Sequence, residues 1–233
     1  MPMLRTALSD FIALIFPRTC LACEQALSRG EQHICTTCRT ALPYTDYHLL
    51  APAENPLAPR FWGRVPVEQV LSYLRFLRRG RVQHLLHQLK YRGQSEVGVA
   101  LGKMYGQELA SSGNLADIDL VVPVPLHRRK LAKRGYNQAD AFAEGLAASL
   151  QVPWSAQALR RNSYTSTQTK KNRAERWENV ANVFEVTEPA AVTGKHVLVV
   201  DDVLTTGATL EACAQQLLQA GAARVSIATI ACA

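Results

Sequence analysis

The sequence predicts an α/β fold, in which helices cover a parallel sheet, preceded by a small cysteine-rich segment. From about residue 67 onward, short apolar runs alternate with helical patterns. Strands that are joined by helical crossovers form parallel sheets covered on both faces. Four of the six cysteines are confined to the first 38 residues, where two CxxC pairs are separated by 11 residues.

Length and composition agree with one globular domain and a small appendage. The chain has 233 residues, of which 48% are hydrophobic and 19% are charged. This composition excludes a disordered chain and a pure coiled coil. The net charge of +7 favours a polyanionic partner, which could be a nucleic acid, a phosphorylated ligand or an anionic surface.

The first twenty residues contain an apolar run that invites comparison with a signal peptide. Asp10 interrupts the run, and no small-x-small cleavage site follows it. A short amphipathic helix that packs on the body is predicted instead, with its apolar face formed by Leu4, Leu8, Phe11, Ile12 and Ile15. No apolar stretch reaches the roughly 18–20 residues that a membrane-crossing helix needs. We therefore expect a cytoplasmic chain without a membrane span.

The cysteine-rich segment has the spacing of a zinc site. Its candidate ligands are Cys20, Cys23, Cys35 and Cys38. Each CxxC pair places two thiolates on one tight turn, and two such turns hold a tetrahedral zinc ion. Two disulfides are the alternative, which a chain without an export signal disfavours. A single redox CxxC is another, but it would not need a second pair. We expect a structural zinc that supplies the folding free energy of this short segment.

A proline-rich stretch separates this segment from the α/β part. Residues 43–66 hold five of the eleven prolines, which indicates an extended connector. The predicted organisation is an N-terminal helix and zinc ribbon at residues 1–42, the connector at 43–66, and the α/β domain at 67–233.

Eight elements are predicted in the α/β domain. The predicted strands cover residues 69–76, 118–122, 196–200 and 224–231. The predicted helices cover residues 81–91, 98–111, 137–150 and 208–220. Because open parallel sheets bind ligands beyond the carboxyl ends of their strands, the loops that follow strands are the candidate sites.

Two acids and a Thr/Gly sequence follow the strand at 196–200, where residues 199–209 are VVDDVLTTGAT. The N-terminus of the next helix offers free N–H groups to a phosphate, and Gly207 allows close approach. Asp201 and Asp202 can accept hydrogen bonds from sugar hydroxyls, directly or through Mg²⁺. A turn capped by threonine would account for one acid but not for two. These residues predict a sugar-phosphate site.

The string VVDDVLTTGATL resembles the ribose-5-phosphate signature of the type I phosphoribosyltransferases. The resemblance implies that the two aspartates bind the ribose hydroxyls of phosphoribosyl pyrophosphate (PRPP), with Mg²⁺, and that the loop holds its 5′-phosphate. The implied ligand-binding residues in this string are Asp201, Asp202, Val203, Leu204, Thr205, Thr206, Gly207, Ala208 and Thr209. The expected fold is then a parallel-sheet, type I phosphoribosyltransferase-like domain with a small N-terminal zinc ribbon built on the four cysteines.

The loop after the strand at 118–122 is strongly basic. Residues 128–134 include five Lys or Arg, a density that suits a pyrophosphate group. A solvated basic turn is the alternative. The candidate pyrophosphate ligands are Arg128, Arg129, Lys130 and Arg134. Together with the acidic pair, Arg128 and Arg129 are also the candidate catalytic residues.

Further strings narrow the resemblance to the competence protein F (ComF/GntX) family. They are PVPLHRRKLAKRGYNQA, the KYRG at residues 90–93, the FPxxCxxC opening, and the NPL and FWGR of the connector. The resemblance implies a role in natural transformation and DNA uptake, with a DNA-translocating helicase and single-strand-binding factors as partners. Many relatives carry additional cysteine pairs that this chain lacks, so one zinc is expected.

A third loop, at residues 160–182, is polar, and the resemblance to the phosphoribosyltransferases implies that it is a lid over the reacting sugar. A surface loop without a role is the alternative. Between residues 127 and 177, eleven Lys or Arg stand against three acids, which exceeds the need of one small ligand. Contact with single-stranded DNA is therefore a further hypothesis, with Tyr136, Tyr164 and Trp177 as candidate stacking rings.

Two hypotheses of function follow. In the first, the protein is a phosphoribosyltransferase in which a base displaces pyrophosphate from C1′ of PRPP. No residue pattern identifies the acceptor base, and the motifs do not decide whether turnover occurs. In the second, the domain senses PRPP or docks single-stranded DNA and the helicase without turnover. A zinc-ribbon nucleic-acid binder with an idle α/β domain would not need the acidic pair.

Overall fold

A parallel sheet of four strands forms the centre of the protein. The structure is a computed structural model that describes residues 17–113, 115, 117–162 and 183–233. In chain order, its strands are β1 (Val70–Arg75), β2 (Leu120–Pro123), β3 (Leu159–Arg161), β4 (Phe184–Val186), β5 (His196–Leu204) and β6 (Arg224–Cys232). Its helices are α1 (Thr36–Thr40), α2 (Arg81–Tyr91), α3 (Ser95–Ser112), α4 (Arg128–Arg134), α5 (Gln138–Leu150), α6 (Pro189–Val192) and α7 (Ala208–Gln219).

The sheet has the order β1-β6-β5-β2, with every neighbouring pair parallel. Strand β5 is central, and its first five residues are buried, as expected for a strand covered on both faces. Pro123 at the end of β2 pairs with Val200 of β5. Because the strands are parallel, the loops that follow β2 and β5 begin next to each other at one edge of the sheet.

Helices cover both faces of the sheet. One core combines the buried residues of α2, α3 and α5, and the other combines α7 with the antiparallel hairpin β3–β4. Helices α3 and α5 approach unusually closely. A Cβ on Gly145 would lie 2.2 Å from the Val99 carbonyl oxygen, and one on Gly102 would lie 2.4 Å from the Phe142 oxygen. Glycine is therefore required at both positions of this helix pair.

The ribbon packs on the same side as α2. Cys20, Ile34 and Cys38 are buried in the core that contains Leu74 of β1. Glu24 of the ribbon also lies 3.3 Å from His84 of α2. The short segment is thus attached to the α/β part through apolar contacts and a polar pair.

All eight predicted elements are present within a few residues of the predicted bounds. Three expectations need correction. Strand β5 continues to Leu204, so the acidic pair lies within the strand and not after it. The basic loop is the helix α4, which begins at an N-cap formed by His127 and ends at Gly135. The connector is not simply extended, because it contains three 3₁₀ turns and buried residues.

Two predictions fall outside the described residues. The amphipathic helix was predicted from residues 4–15, and the greater part of the lid lies at 163–182. Both stay predictions.

Candidate functional site

Asp201 and Asp202 lie side by side near the end of β5, and both are half-buried. The Asp202 N–H donates a hydrogen bond to Asp201 Oδ1 at 2.8 Å. Burial and the negative charge of Asp202 raise the pKa of Asp201, against the opposing positive charges of Lys90 and Arg161. Two partly buried carboxyls on successive residues favour a cation or hydroxyl donors as their ligand.

Lys90 is a residue of this site that the sequence did not predict. It lies in the last turn of α2, and its Nζ is 2.8 Å from Asp202 Oδ2. The side chains of Lys90 and Asp202 are only 22% and 17% exposed, so the ion pair is partly shielded from solvent. The KYRG string was the available signal, but nothing in its local pattern indicates a partner on a distant strand.

The loop after β5 forms a small pocket of about 40 Å³. Its lining contains the predicted PRPP residues of this string except Asp202, together with Leu210: the residues are Asp201, Val203, Leu204, Thr205, Thr206, Gly207, Ala208, Thr209 and Leu210. Gly207 has a φ of 84°, which a residue with a side chain rarely adopts, and it is the N-cap of α7 without a capping side chain. The N-terminus of helix α7 thus lies at the pocket, where its free N–H groups and the positive end of its dipole can bind a phosphate.

The basic residues of α4 are divided between two environments. Arg128, Arg129 and Lys130 are exposed in the first turn, which is separated from the end of β2 by four residues. Arg134 is half-buried at the other end, where it donates to Gln138 and its guanidinium lies 5.4 Å from the Tyr91 ring centroid. The structure therefore leaves three candidate pyrophosphate ligands exposed and packs the fourth against α2 and α5.

The asparagine of the NQ string has a structural role. Asn137 is the N-cap of α5, and its side-chain amide donates to the Val124 carbonyl at 3.0 Å and to Asp140 Oδ1 at 2.6 Å. Asn137 thereby joins the start of α5 to the segment after β2. This contact helps to fix α4, which lies between the two.

The hairpin β3–β4 flanks the predicted lid. Arg161, at the end of β3, lies 5.3 Å from the Phe184 ring centroid and close enough to Asp201 to influence its pKa. Arg161, just before the 163–182 segment, therefore lies near the acidic pair. Tyr164 and Trp177, two of the candidate stacking rings, lie outside the described residues. Tyr136, the third, is half-buried and donates to the Leu89 carbonyl.

The four predicted zinc ligands lie together. The Sγ atoms of Cys20, Cys23, Cys35 and Cys38 are all within 4.8 Å of one another. Cys23 and Cys35 are 3.8 Å apart, and about 3.8 Å is expected for two sulfurs of a tetrahedral zinc site. Burial raises the pKa of Cys20, but N–H donors from Cys35 and Ala22 outweigh it and lower that pKa to about 7. The cluster therefore fits a zinc ion bound by thiolates.

Each of the two parts of the chain matches a known protein family. The phosphoribosyl transferase domain matches residues 133–232, and the double zinc ribbon domain matches residues 11–48. DNA utilization protein YhgH of Escherichia coli K12 is 33% identical over 230 residues, which cover 92% of this chain and 96% of YhgH. The chain belongs to the family that includes YhgH and competence protein F.

Two competence proteins of this family are more distant. Competence protein F of Haemophilus influenzae is 26% identical over 61% of this chain and 64% of its own length. Competence protein ComFC of Bacillus subtilis is 28% identical over 91% of this chain and 83% of its own. The resemblance to the ComF family is thus confirmed. Residues 11–48 contain four cysteines, enough for one zinc site with four thiolate ligands, although the matching domain is named a double ribbon.

Two solved enzyme structures are similar to part of this chain. Glutamine PRPP amidotransferase from B. subtilis is 23% identical and covers 61% of this chain and 30% of its own, with a TM-score of 0.45. Adenine phosphoribosyltransferase from Saccharomyces cerevisiae is 20% identical and covers 60% and 69%, with a TM-score of 0.37. With the matched domains and the four-cysteine cluster, the predicted fold class is confirmed. No described helix combines the length and apolar character needed to cross a bilayer.

Proposed function

We propose that this ComF-family protein binds Mg²⁺–PRPP at the edge formed by the ends of β2 and β5. The observation that carries the proposal is the acidic pair Asp201–Asp202 next to an uncapped helix N-terminus. The carboxylates can bind sugar hydroxyls, and the adjacent helix N-terminus can bind a phosphate. A sugar phosphate has both groups.

Each part of PRPP then has a place. The 5′-phosphate occupies the loop 203–209, and the ribose hydroxyls face Asp201 and Asp202. The pyrophosphate extends toward Arg128, Arg129 and Lys130 on α4, whose charges compensate its own. Arg134 contributes to the positive field from a packed position. Mg²⁺ supplies further positive charge when it is bound with PRPP, and the half-buried carboxyls fit its preference for oxygen ligands.

Transfer to a base needs little covalent chemistry from the chain. The C1′–O bond to pyrophosphate breaks with its electron pair leaving on the pyrophosphate, and a base nitrogen forms the new bond to C1′ and loses its proton to solvent. Arg128 and Arg129 would stabilise the charge of the leaving group, and the acidic pair would orient the sugar.

A second candidate function is favoured by the exposed cations of α4. A domain that binds PRPP without turnover, and that docks single-stranded DNA or a DNA-translocating helicase, would use the same face. The names of the relatives, DNA utilization protein and competence protein, support a role in DNA uptake, which we place in the cytoplasm, as expected from the sequence. In this proposal the chain is organised as an N-terminal helix and zinc ribbon (1–42), a proline-rich connector (43–66) and a phosphoribosyltransferase-like α/β domain (67–233).

Calorimetric titration of Mg²⁺–PRPP into the full chain tests the shared core of both functions. The wild type is expected to bind, and Asp201→Asn/Asp202→Asn to lose binding at least tenfold. Glu68→Gln/Glu144→Gln removes the same charge at exposed positions and is expected to bind normally. Wild-type protein that is folded and zinc-loaded but gives no binding heat would refute the PRPP site. If the wild type binds PRPP, a screen of bases for the release of pyrophosphate distinguishes a transferase from a sensor.

A further inference from the structure

The connector contains two motifs, NPL and FWGR, that the proposed function leaves unused. Asn55, in the first motif, is 4% exposed. Its side-chain amide donates to the Val70 carbonyl at 2.6 Å, and its Oδ1 accepts from the Leu57 N–H at 2.9 Å. The motif thus ties the connector to the first residue of β1. The segment that follows is held in a fixed place relative to the sheet.

The second motif lies against the loop 203–209, which we call the phosphate loop. Phe61 is fully buried, and a Cβ on Gly207 would lie 3.0 Å from its Cζ atom. Gly207 thus rests against the Phe61 ring. The positive φ at Gly207 and this contact together explain why the loop needs glycine at that position.

Arg60, the residue before Phe61, forms two hydrogen bonds with distant parts of the main chain. Its Nη1 donates to the carbonyl oxygen of Thr205, and its Nη2 donates to the carbonyl oxygen of Ala233 at 2.7 Å. The Ala233 N–H in turn donates to the Leu204 carbonyl at 3.0 Å. One guanidinium group therefore joins the start of the phosphate loop to the chain that follows β6.

The Thr205 contact determines the direction of a neighbouring N–H. In a planar trans peptide, the carbonyl and the following N–H point in opposite directions. Because Arg60 holds the Thr205 carbonyl on its own side, the Thr206 N–H points away from Arg60. The described peptide bonds are all trans, so this relation holds here.

We propose that Arg60 is a positioning residue for the 5′-phosphate. It holds the Thr205–Thr206 peptide so that the N–H groups of the loop face the phosphate, while Phe61 supports Gly207 from below. The inference deepens the proposed PRPP site and rests on it. The planar guanidinium of Arg60 donates to two main-chain oxygens at once, and a lysine ammonium does not reproduce this geometry.

The test uses the full chain and two separate ligands, ribose-5-phosphate and inorganic pyrophosphate, in calorimetric titrations. Arg60→Lys and Arg60→Gln are both expected to weaken ribose-5-phosphate binding by about tenfold, the order expected for lost hydrogen bonds to a charged group. Pyrophosphate affinity is expected to stay within about twofold, because the described hydrogen bonds of the Arg60 side chain go to Thr205 and Ala233 and not to α4. The matched control is Arg64→Gln, since Arg64 is an arginine only four residues away but is exposed and lies 3.4 Å from Glu211.

Three outcomes would overturn the inference. If Arg60→Lys binds ribose-5-phosphate like the wild type, the charge alone matters and the planar guanidinium does not position the loop. If Arg60→Gln loses affinity for both ligands equally, Arg60 has only a structural role. If Arg60→Gln and Arg64→Gln behave alike, the contact to Thr205 has no special part. Wild-type protein that binds neither ribose-5-phosphate nor PRPP is a different result, because it refutes the proposed function before any variant is compared.

Discussion

Lys90 Nζ lies 2.8 Å from Asp202 Oδ2, so the acidic pair of the proposed ribose site already has a cation beside it. The lysine is supplied by α2, whose last turn is held by a hydrogen bond from the Tyr136 hydroxyl to the Leu89 carbonyl. Both charged groups are largely shielded from water, which strengthens their attraction relative to an exposed pair. A metal ion or sugar hydroxyls that bind Asp202 must therefore compete with Lys90.

Replacing Lys90 is expected to lower both the stability of the protein and the Mg²⁺ concentration that PRPP binding requires. Lys90→Gln leaves two adjacent carboxyls without their ammonium partner, which should lower the free energy of unfolding by about 1–3 kcal/mol. In the same variant, Mg²⁺ no longer competes with an ammonium group. The Mg²⁺ concentration that supports half-maximal PRPP binding should therefore fall several-fold. Thermal unfolding and Mg²⁺ titrations at fixed PRPP measure the two effects.

Lys103→Gln serves as the control because Lys103 is exposed on α3. It should change neither quantity. A rise in the Mg²⁺ requirement of Lys90→Gln would show that the lysine binds PRPP directly and does not compete with the metal.

The sequence predicted the elements of this site better than the contacts between them. The apolar runs at β5 and β6 and the TTGAT string were sufficient to place the turn between β5 and α7, because burial and turn chemistry are local properties. Lys90 and Arg60 were missed, since each acts through a partner far away in the sequence. The sequence does not indicate helix α4, because its five cations form no apolar face and its end depends on the αL conformation of Gly135.

Asp140 should make the stability of the protein depend on pH. Burial raises its pKa to about 6, although the Asn137 amide that donates to it acts in the opposite direction. In the unfolded chain the group titrates near its ordinary value of 3.8. Between these values the folded chain binds more protons, so the free energy of unfolding falls as the pH rises from about 4 to about 6.

The variant Asp140→Asn should remove that part of the pH dependence. The asparagine oxygen can still accept from Asn137, and the variant should be more stable than the wild type at pH 7 by about 2 kcal/mol. Denaturant unfolding at pH 4, 5, 6 and 7 gives the comparison. Glu144→Gln, on the exposed side of the same helix, should follow the wild-type curve. Parallel curves for Asp140→Asn and the wild type would contradict the prediction.

The four-cysteine cluster predicts one zinc ion per chain, which elemental analysis of the purified protein measures. Cys23→Ser should abolish that zinc and lower Tm by roughly 10 °C, because metal binding stabilises a segment with little apolar core of its own. The matched change Cys213→Ala removes a buried thiol from the core on the other face of the sheet and should retain the zinc. A stoichiometry of two zinc ions would mean that residues other than these four cysteines complete a second site.

The exposed cations of α4 distinguish the two candidate functions through the salt dependence of binding. If this face binds single-stranded DNA, affinity should fall with salt by about 0.7 log units per log unit for each phosphate contacted. Arg128→Gln/Arg129→Gln should then reduce the slope by up to about 1.4 and weaken all DNA sequences alike. Fluorescence anisotropy with a labelled oligonucleotide between 50 and 300 mM salt, roughly the range in which such slopes are resolved, measures it.

The control for this experiment is Lys103→Gln/Lys195→Gln, which removes two cations from other parts of the surface. Lys103 lies on α3, and Lys195 precedes β5 at the amino end of the strands, opposite the edge where α4 begins. An equal change of slope in both double variants would mean that DNA binding follows net charge and not the α4 face. An unchanged slope in Arg128→Gln/Arg129→Gln, together with weaker pyrophosphate binding, would assign these arginines to PRPP alone and favour the transferase.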